Sequence, residues 1–160
     1  MKYFGCIFVL VGVLIFSREY ISTRKRRVDV LTEILSLVTH LHREISRCVC
    51  TPRKALCRFE SPILTECGFL ERVRAGESLS SAFSMTEGVL HLAPKVREYV
   101  SSLFNSVGTG SYKEECKKLS FAVGELENLI KGEREELMHI SKLTPTVTAA
   151  FAIGFVLLVI

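Results

Sequence analysis

The sequence predicts an all-α protein: a six-helix bundle in which two long antiparallel helices continue into apolar segments at the two chain ends. Three observations predict it. Apolar residues recur at helical spacing over long stretches, and no stretch alternates as a strand would. The 160 residues are rich in Leu, Glu, Lys and Ser, with no Trp and only 4 Pro, a mix that favours helices. Finally, residues 3–17 and 143–160 carry no charge, and every charged residue except Lys2 lies between them.

The uncharged runs are 15 and 18 residues long. As helices they reach roughly 22 and 27 Å, against a hydrocarbon core of about 30 Å. Lys2 and Arg18 extend the first by snorkelling. A cleaved signal peptide is the rival explanation for the first run. It is disfavoured because Ser17, Arg18, Glu19 and Tyr20 follow Phe16 with no small-x-small cleavage site. The expected organisation is a transmembrane segment over 1–20, a helical domain over 21–142 and a second transmembrane segment over 143–160.

Flanking charge sets the expected orientation. Arg18, Arg24, Lys25, Arg26 and Arg27 follow the first run, and Lys131, Arg134 and Lys142 precede the second. An excess of Lys and Arg marks the cytoplasmic side. The middle domain is therefore expected in the cytoplasm of a two-pass cell-membrane protein. Five of the 6 cysteines lie in that domain and cannot all pair within it, which suits free thiols in a reducing compartment.

The first long helix is expected from Arg18 to about Cys48. Val28, Leu31, Leu35, Val38, His42 and Ile45 follow a seven-residue repeat, widened by Ile34, Leu37 and Leu41. Thr51-Pro52 reads as an N-cap with proline in the first helical position, opening a second helix with Ala55, Leu56 and Phe59 inside. Ser61-Pro62 opens a third, apolar at Ile63, Leu64, Phe69, Leu70 and Val73, which Gly76 ends. A fourth starts near Ser78 with Leu79, Ala82 and Phe83 inside. A fifth starts near Pro94 with Val96, Tyr99, Val100, Leu103 and Phe104 inside.

Gly108-Thr109-Gly110 breaks the chain, and Ser111-Tyr112-Lys113-Glu114 then forms a capping box. The last helix keeps the seven-residue spacing at Leu119, Ala122, Leu126, Leu129, Ile140 and Leu143. Pro145 is expected to kink it near Ser141 or to restart it at Thr144. If the two long helices stand side by side, Arg24 to Arg27 and Glu133 to Glu136 come to similar height. Arg24 or Arg27 is then expected to approach Glu133 or Glu136, an exposed pairing that sets register more than stability.

Candidates for chemistry are few. Cys48-x-Cys50, with His40, His42 and Cys57 near it in sequence, lacks the Cys-x-x-Cys spacing of zinc knuckles, so these residues read as small thiols. The basic run Arg24 to Arg27 adjoins an apolar segment and reads as a lipid-facing, orienting flank, with no nucleic acid expected. Glu114 and Glu115 beside Cys116 read as capping residues on a solvated face. Gly108-Thr109-Gly110-Ser111 lacks the lysine of a phosphate loop. His91 and His139 are isolated. Glu133, Glu135 and Glu136 interrupt the apolar repeat and are candidates for inter-helix or partner contacts. No enzyme, cofactor or small-molecule substrate is expected.

The order and spacing of these segments resemble the stage III sporulation protein AB family of endospore-forming bacteria, over nearly the whole chain. Thr51-Pro52 with Ala55-Leu56, Leu103 to Ser111 with its Gly108 break, Lys117-Lys118-Leu119, and Lys142-Leu143 carry the resemblance. Within it, Arg74-Ala75-Gly76-Glu77-Ser78-Leu79-Ser80-Ser81-Ala82-Phe83 is similar to the Ala-Gly-x-Ser-Leu turn of type II secretion and pilus inner-membrane platform domains, which are six-helix bundles. The resemblance implies a structural component of a secretion-like channel between mother cell and forespore. Its expected partners are a secretion-type ATPase, other channel membrane proteins and the lipid bilayer. The alternative is a membrane-tethered scaffold or signalling module unrelated to secretion.

Overall fold

The computed structural model describes residues 2–48 and 51–159, with the side chains of residues 18–47 and 51–142 and of Gly12 and Ile15. Among the described residues there are seven helices and no strand: α1 (Lys2–Cys48), α2 (Pro52–Cys57), α3 (Pro62–Glu66), α4 (Phe69–Ala75), α5 (Leu79–Leu90), α6 (Pro94–Ser106) and α7 (Tyr112–Val159). Contacts divide the chain into two compact units. One is Met1–Arg26 with Gly132–Ile160, and the other is Arg27–Lys131.

The unit Arg27–Lys131 holds the core. α1 contributes Val30, Leu31, Ile34, Leu37, Val38 and Leu41, all at most 1% exposed. Leu119, Ala122 and Leu126 of α7 are equally closed. The short helices add three aromatic side chains that pack on one another. Phe104 stacks on Phe69 at 5.7 Å between centroids and meets Phe83 edge-on at 5.4 Å. Thr86, buried on α5, donates its hydroxyl to the Ala82 carbonyl at 2.8 Å, so its burial leaves no donor unpaired.

One expected helix is two. The third helix divides into α3 and α4 because Gly68 adopts φ +74, a left-handed conformation that glycine reaches without strain. Ser61 caps α3 by accepting the Leu64 amide, as Ser-Pro predicts. Thr51, in contrast, caps α2 through its backbone only: its carbonyl accepts from Lys54 and Ala55, and its side chain makes no cap bond. At Gly76 (φ +106) α4 ends with the Glu77 amide donating back to the Arg72 carbonyl, a Schellman-type closure.

Residues 3–17 lie in the first part of α1 and residues 143–159 in the last part of α7. Helix α7 runs through Pro145 without a restart at Thr144. Among the described residues no helix is long and apolar enough to cross a membrane. The side chains of residues 3–11, 13, 14, 16, 17 and 143–160, on which the two expected spans rest, lie outside the described residues.

Candidate functional site

Three local constructions stand out, each within one unit. The first, in the unit Met1–Arg26 with Gly132–Ile160, joins α1 to α7. The Arg24 guanidinium donates to a Glu136 carboxylate oxygen at 2.8 Å and to the Tyr20 hydroxyl at 3.3 Å, and it lies 5.6 Å from the centre of the Tyr20 ring. Tyr20 stands one helical turn before Arg24 on the same face of α1, so the ring and the cation share a side by geometry. The bonds to Tyr20 and Glu136 push the Arg24 guanidinium above its ordinary pKa. Of the four pairings expected between the basic and acidic runs, this one is formed.

The other residues of those runs are distributed around it. Arg18, Lys25 and Arg26 are exposed, as are Glu135 and Lys142. Arg27 and Glu133 are half-buried, and each hides one polar atom, Nε of Arg27 and Oε2 of Glu133, that has no hydrogen-bond partner.

The second construction closes the break before α7. Glu115 is 5% exposed, and its two carboxylate oxygens accept the amides of Gly108 (3.1 Å) and Gly110 (2.9 Å). Lys118 lies 3.7 Å from the same carboxylate. This corrects the expectation of a solvated capping glutamate. Glu115 is a buried brace that fixes the loop, while its neighbour Glu114 does the capping. The Glu114 carboxylate accepts the Ser111 amide and hydroxyl, both at 2.9 Å. Those bonds, the amide first, hold Glu114 below the usual carboxylate range.

The third is the turn from α4 into α5. Gly76 ends one helix, and two residues later Ser78 accepts the Ser81 amide at 3.2 Å to start the next. The turn borders a groove of about 410 Å³ with α2 on one side and the end of α6 on the other. Arg53 of α2 lies across the Gly76 backbone, its terminal nitrogen 2.7 Å from where a Cβ would be.

Of the residues weighed for metal binding, Cys48 and Cys50 lie outside the described side chains. His40 is engaged: a carbonyl can only accept, so Nε2–H donates to Ala55 at 3.1 Å, and Nδ1 then accepts from Arg43 at 3.2 Å. Cys57, Cys67 and Cys116 are in no disulfide among the described residues.

Among the described residues these constructions belong to an all-helical chain, in which helix caps, glycine turns and inter-helix side-chain bonds such as Arg24–Glu136 and Tyr112–Ser46 fix the helices. The stage III sporulation protein AB family model matches residues 2–160, and the chain belongs to that family, with a role in stage III of sporulation. No curated protein and no solved structure matches it.

Proposed function

We propose that this chain is a two-pass membrane adaptor of the sporulation channel, a platform on which a secretion-type ATPase docks from the mother-cell cytoplasm. The observation that carries this reading is the Arg24–Glu136 pair. Arg24 stands seven residues after Ser17, and Glu136 stands seven residues before Leu143. Both helices are continuous through these stretches. A salt bridge between them therefore brings the two uncharged runs to one level, about 10 Å along each helix from the clasp. Two apolar helices that begin at one plane, with Arg18 and Lys142 at that plane, suit a hairpin entering a bilayer from one side.

The platform role draws on family membership and on the Gly76–Ser78 turn, whose helix-ending glycine and helix-starting serine give the platform-domain pattern a mechanical purpose. The role asks for no chemistry of the chain's own: it holds partners in position at the membrane.

Two measurements test the proposal. A chain freed of its own cysteines and carrying one at exposed Ser102 should resist a membrane-impermeant maleimide in intact mother cells and react after permeabilisation. Labelling of intact cells would overturn the topology. The chain in detergent should retain a secretion-type ATPase of the same organism. A chain that inserts correctly but never retains the ATPase would leave the tethered-scaffold alternative.

A further inference from the structure

The groove beside the Gly76–Ser78 turn has the form of a peptide site. Its volume of about 410 Å³ falls in the range of small binding pockets, roughly 300–1,000 Å³. Its floor is apolar, made by Leu56, Val73, Leu79 and Phe104. Its rim is polar, with Arg53, Ser80, Asn105 and Thr109. The walls are set in advance. On one side the Gly76 closure and the Ser78 cap fix the turn. On the other, Thr109 donates to the Ser106 carbonyl at 2.8 Å, and Glu115 holds Gly108 and Gly110.

Glu77 also lines the groove, but its carboxylate is engaged by Arg72 at 3.2 Å. Arg53 makes no hydrogen bond or ion pair among the described residues. An arginine with its donor fork open, above an apolar floor, is complementary to a carboxylate carried next to an apolar side chain.

We infer that this groove docks a short acidic segment of a partner protein, with one Asp or Glu on Arg53 and a neighbouring large apolar side chain over Leu79 and Phe104. The inference rests on the adaptor reading only in taking the occupant to be protein. The partner is defined by that chemistry and not by its identity, so the two can fail separately. If the ATPase is retained while acidic peptides are not bound, the adaptor stands and the groove assignment falls. If the peptides bind and the ATPase does not, the reverse holds.

The test uses full-length chain in detergent, panned against a display library of short random peptides, with selected peptides resynthesised and titrated. The selected peptides should pair Asp or Glu with Leu, Ile, Met or Phe. Arg53→Glu should weaken them at least about tenfold, a change of about 1.4 kcal/mol. Asn105→Trp, which fills the groove from an exposed position, should do the same, and Lys54→Glu should leave affinity within about twofold. A peptide with Lys in place of its acid should regain binding to the Arg53→Glu chain, a rescue that general damage to the fold cannot produce. Failure to select any peptide, selection without an acid, or binding that survives either groove substitution would overturn the inference. Self-association that Asn105→Trp abolishes, with no peptide bound, would also overturn it by assigning the groove to a second copy.

Discussion

Glu114 and Glu115 are adjacent in the chain and do unlike work. Glu114 is exposed and serves the start of α7, while Glu115 turns inward and serves the loop behind it. Removing the Glu115 carboxylate leaves the Gly108 and Gly110 amides without their acceptor. Glu115→Ala is therefore expected to cost about 1–3 kcal/mol in a thermal melt of the full chain, and Glu115→Gln, which keeps one acceptor oxygen, clearly less. Equal melting of wild type and Glu115→Ala would mean that the brace is idle. Glu114 gives a pH prediction. Its folded pKa lies below the unfolded value, so the cap is stabilising above the ordinary carboxylate range and is lost as pH falls through the depressed folded value. The Ser111 amide resonance should titrate with a midpoint below that of an unstructured glutamate. A midpoint at or above it would refute the depression.

At the scale of elements, glycines decide where this chain turns. Gly68 and Gly76 both have positive φ, but their surroundings differ. A Cβ at Gly68 meets nothing within 4 Å, whereas one at Gly76 lies 2.7 Å from the Arg53 guanidinium. Gly68→Ala should thus cost only the backbone strain, about 1–2 kcal/mol. Gly76→Ala should cost at least as much and also displace Arg53, a flexible group that can swing away. Combining Gly76→Ala with Arg53→Ala should recover little stability, because the strain remains; full recovery in the double variant would show that the side-chain clash had dominated. Much of this was legible in the sequence. The wide stripe on α1, the Ser61-Pro62 start, the start near Pro94, the Gly76 stop and the Ser78 cap are local signals, and each lies where the local pattern places it. What escaped was non-local or offset. The seven-residue repeat includes Leu35 and His42, which are half-buried, and omits Val30 and Ile130, which are buried, because a packed helix at 3.6 residues per turn drifts from a strict heptad. The burial of Glu115 depends on a loop folding back onto it, and no spacing in the sequence encodes that. Gly68 did carry a signal, a glycine between polar Thr65-Glu66 and apolar Phe69-Leu70, but the apolar spacing runs on across it and hides the break.

For the whole molecule, the proposed hairpin makes register the property that matters. The Arg24–Glu136 pair is exposed on its acidic side, with the Glu136 side chain 65% accessible, so it contributes about 0–1 kcal/mol at most. Its use lies in selecting one alignment of α1 against α7 over others. Sliding one helix by a turn, about 5.4 Å, would start one apolar run well above or below the other and leave polar residues at hydrocarbon depth. The claim can be tested without relying on the energy of the pair. In a chain whose own cysteines are replaced, Arg24→Cys with Glu136→Cys should be joined in membranes by a short bifunctional thiol reagent that spans the length of the lost Arg–Glu pair. Arg24→Cys paired with Gly132→Cys or with Ile140→Cys, each one helical turn from position 136, should crosslink more slowly. The charge-reversed chain Arg24→Glu with Glu136→Arg should insert and mature as the wild type does, while Arg24→Glu alone places two carboxylates together and should loosen the register, seen as crosslinking spread over several positions. A crosslink pattern centred a full turn away from position 136 would separate the two apolar runs in height, and the hairpin would lose the observation that supports it.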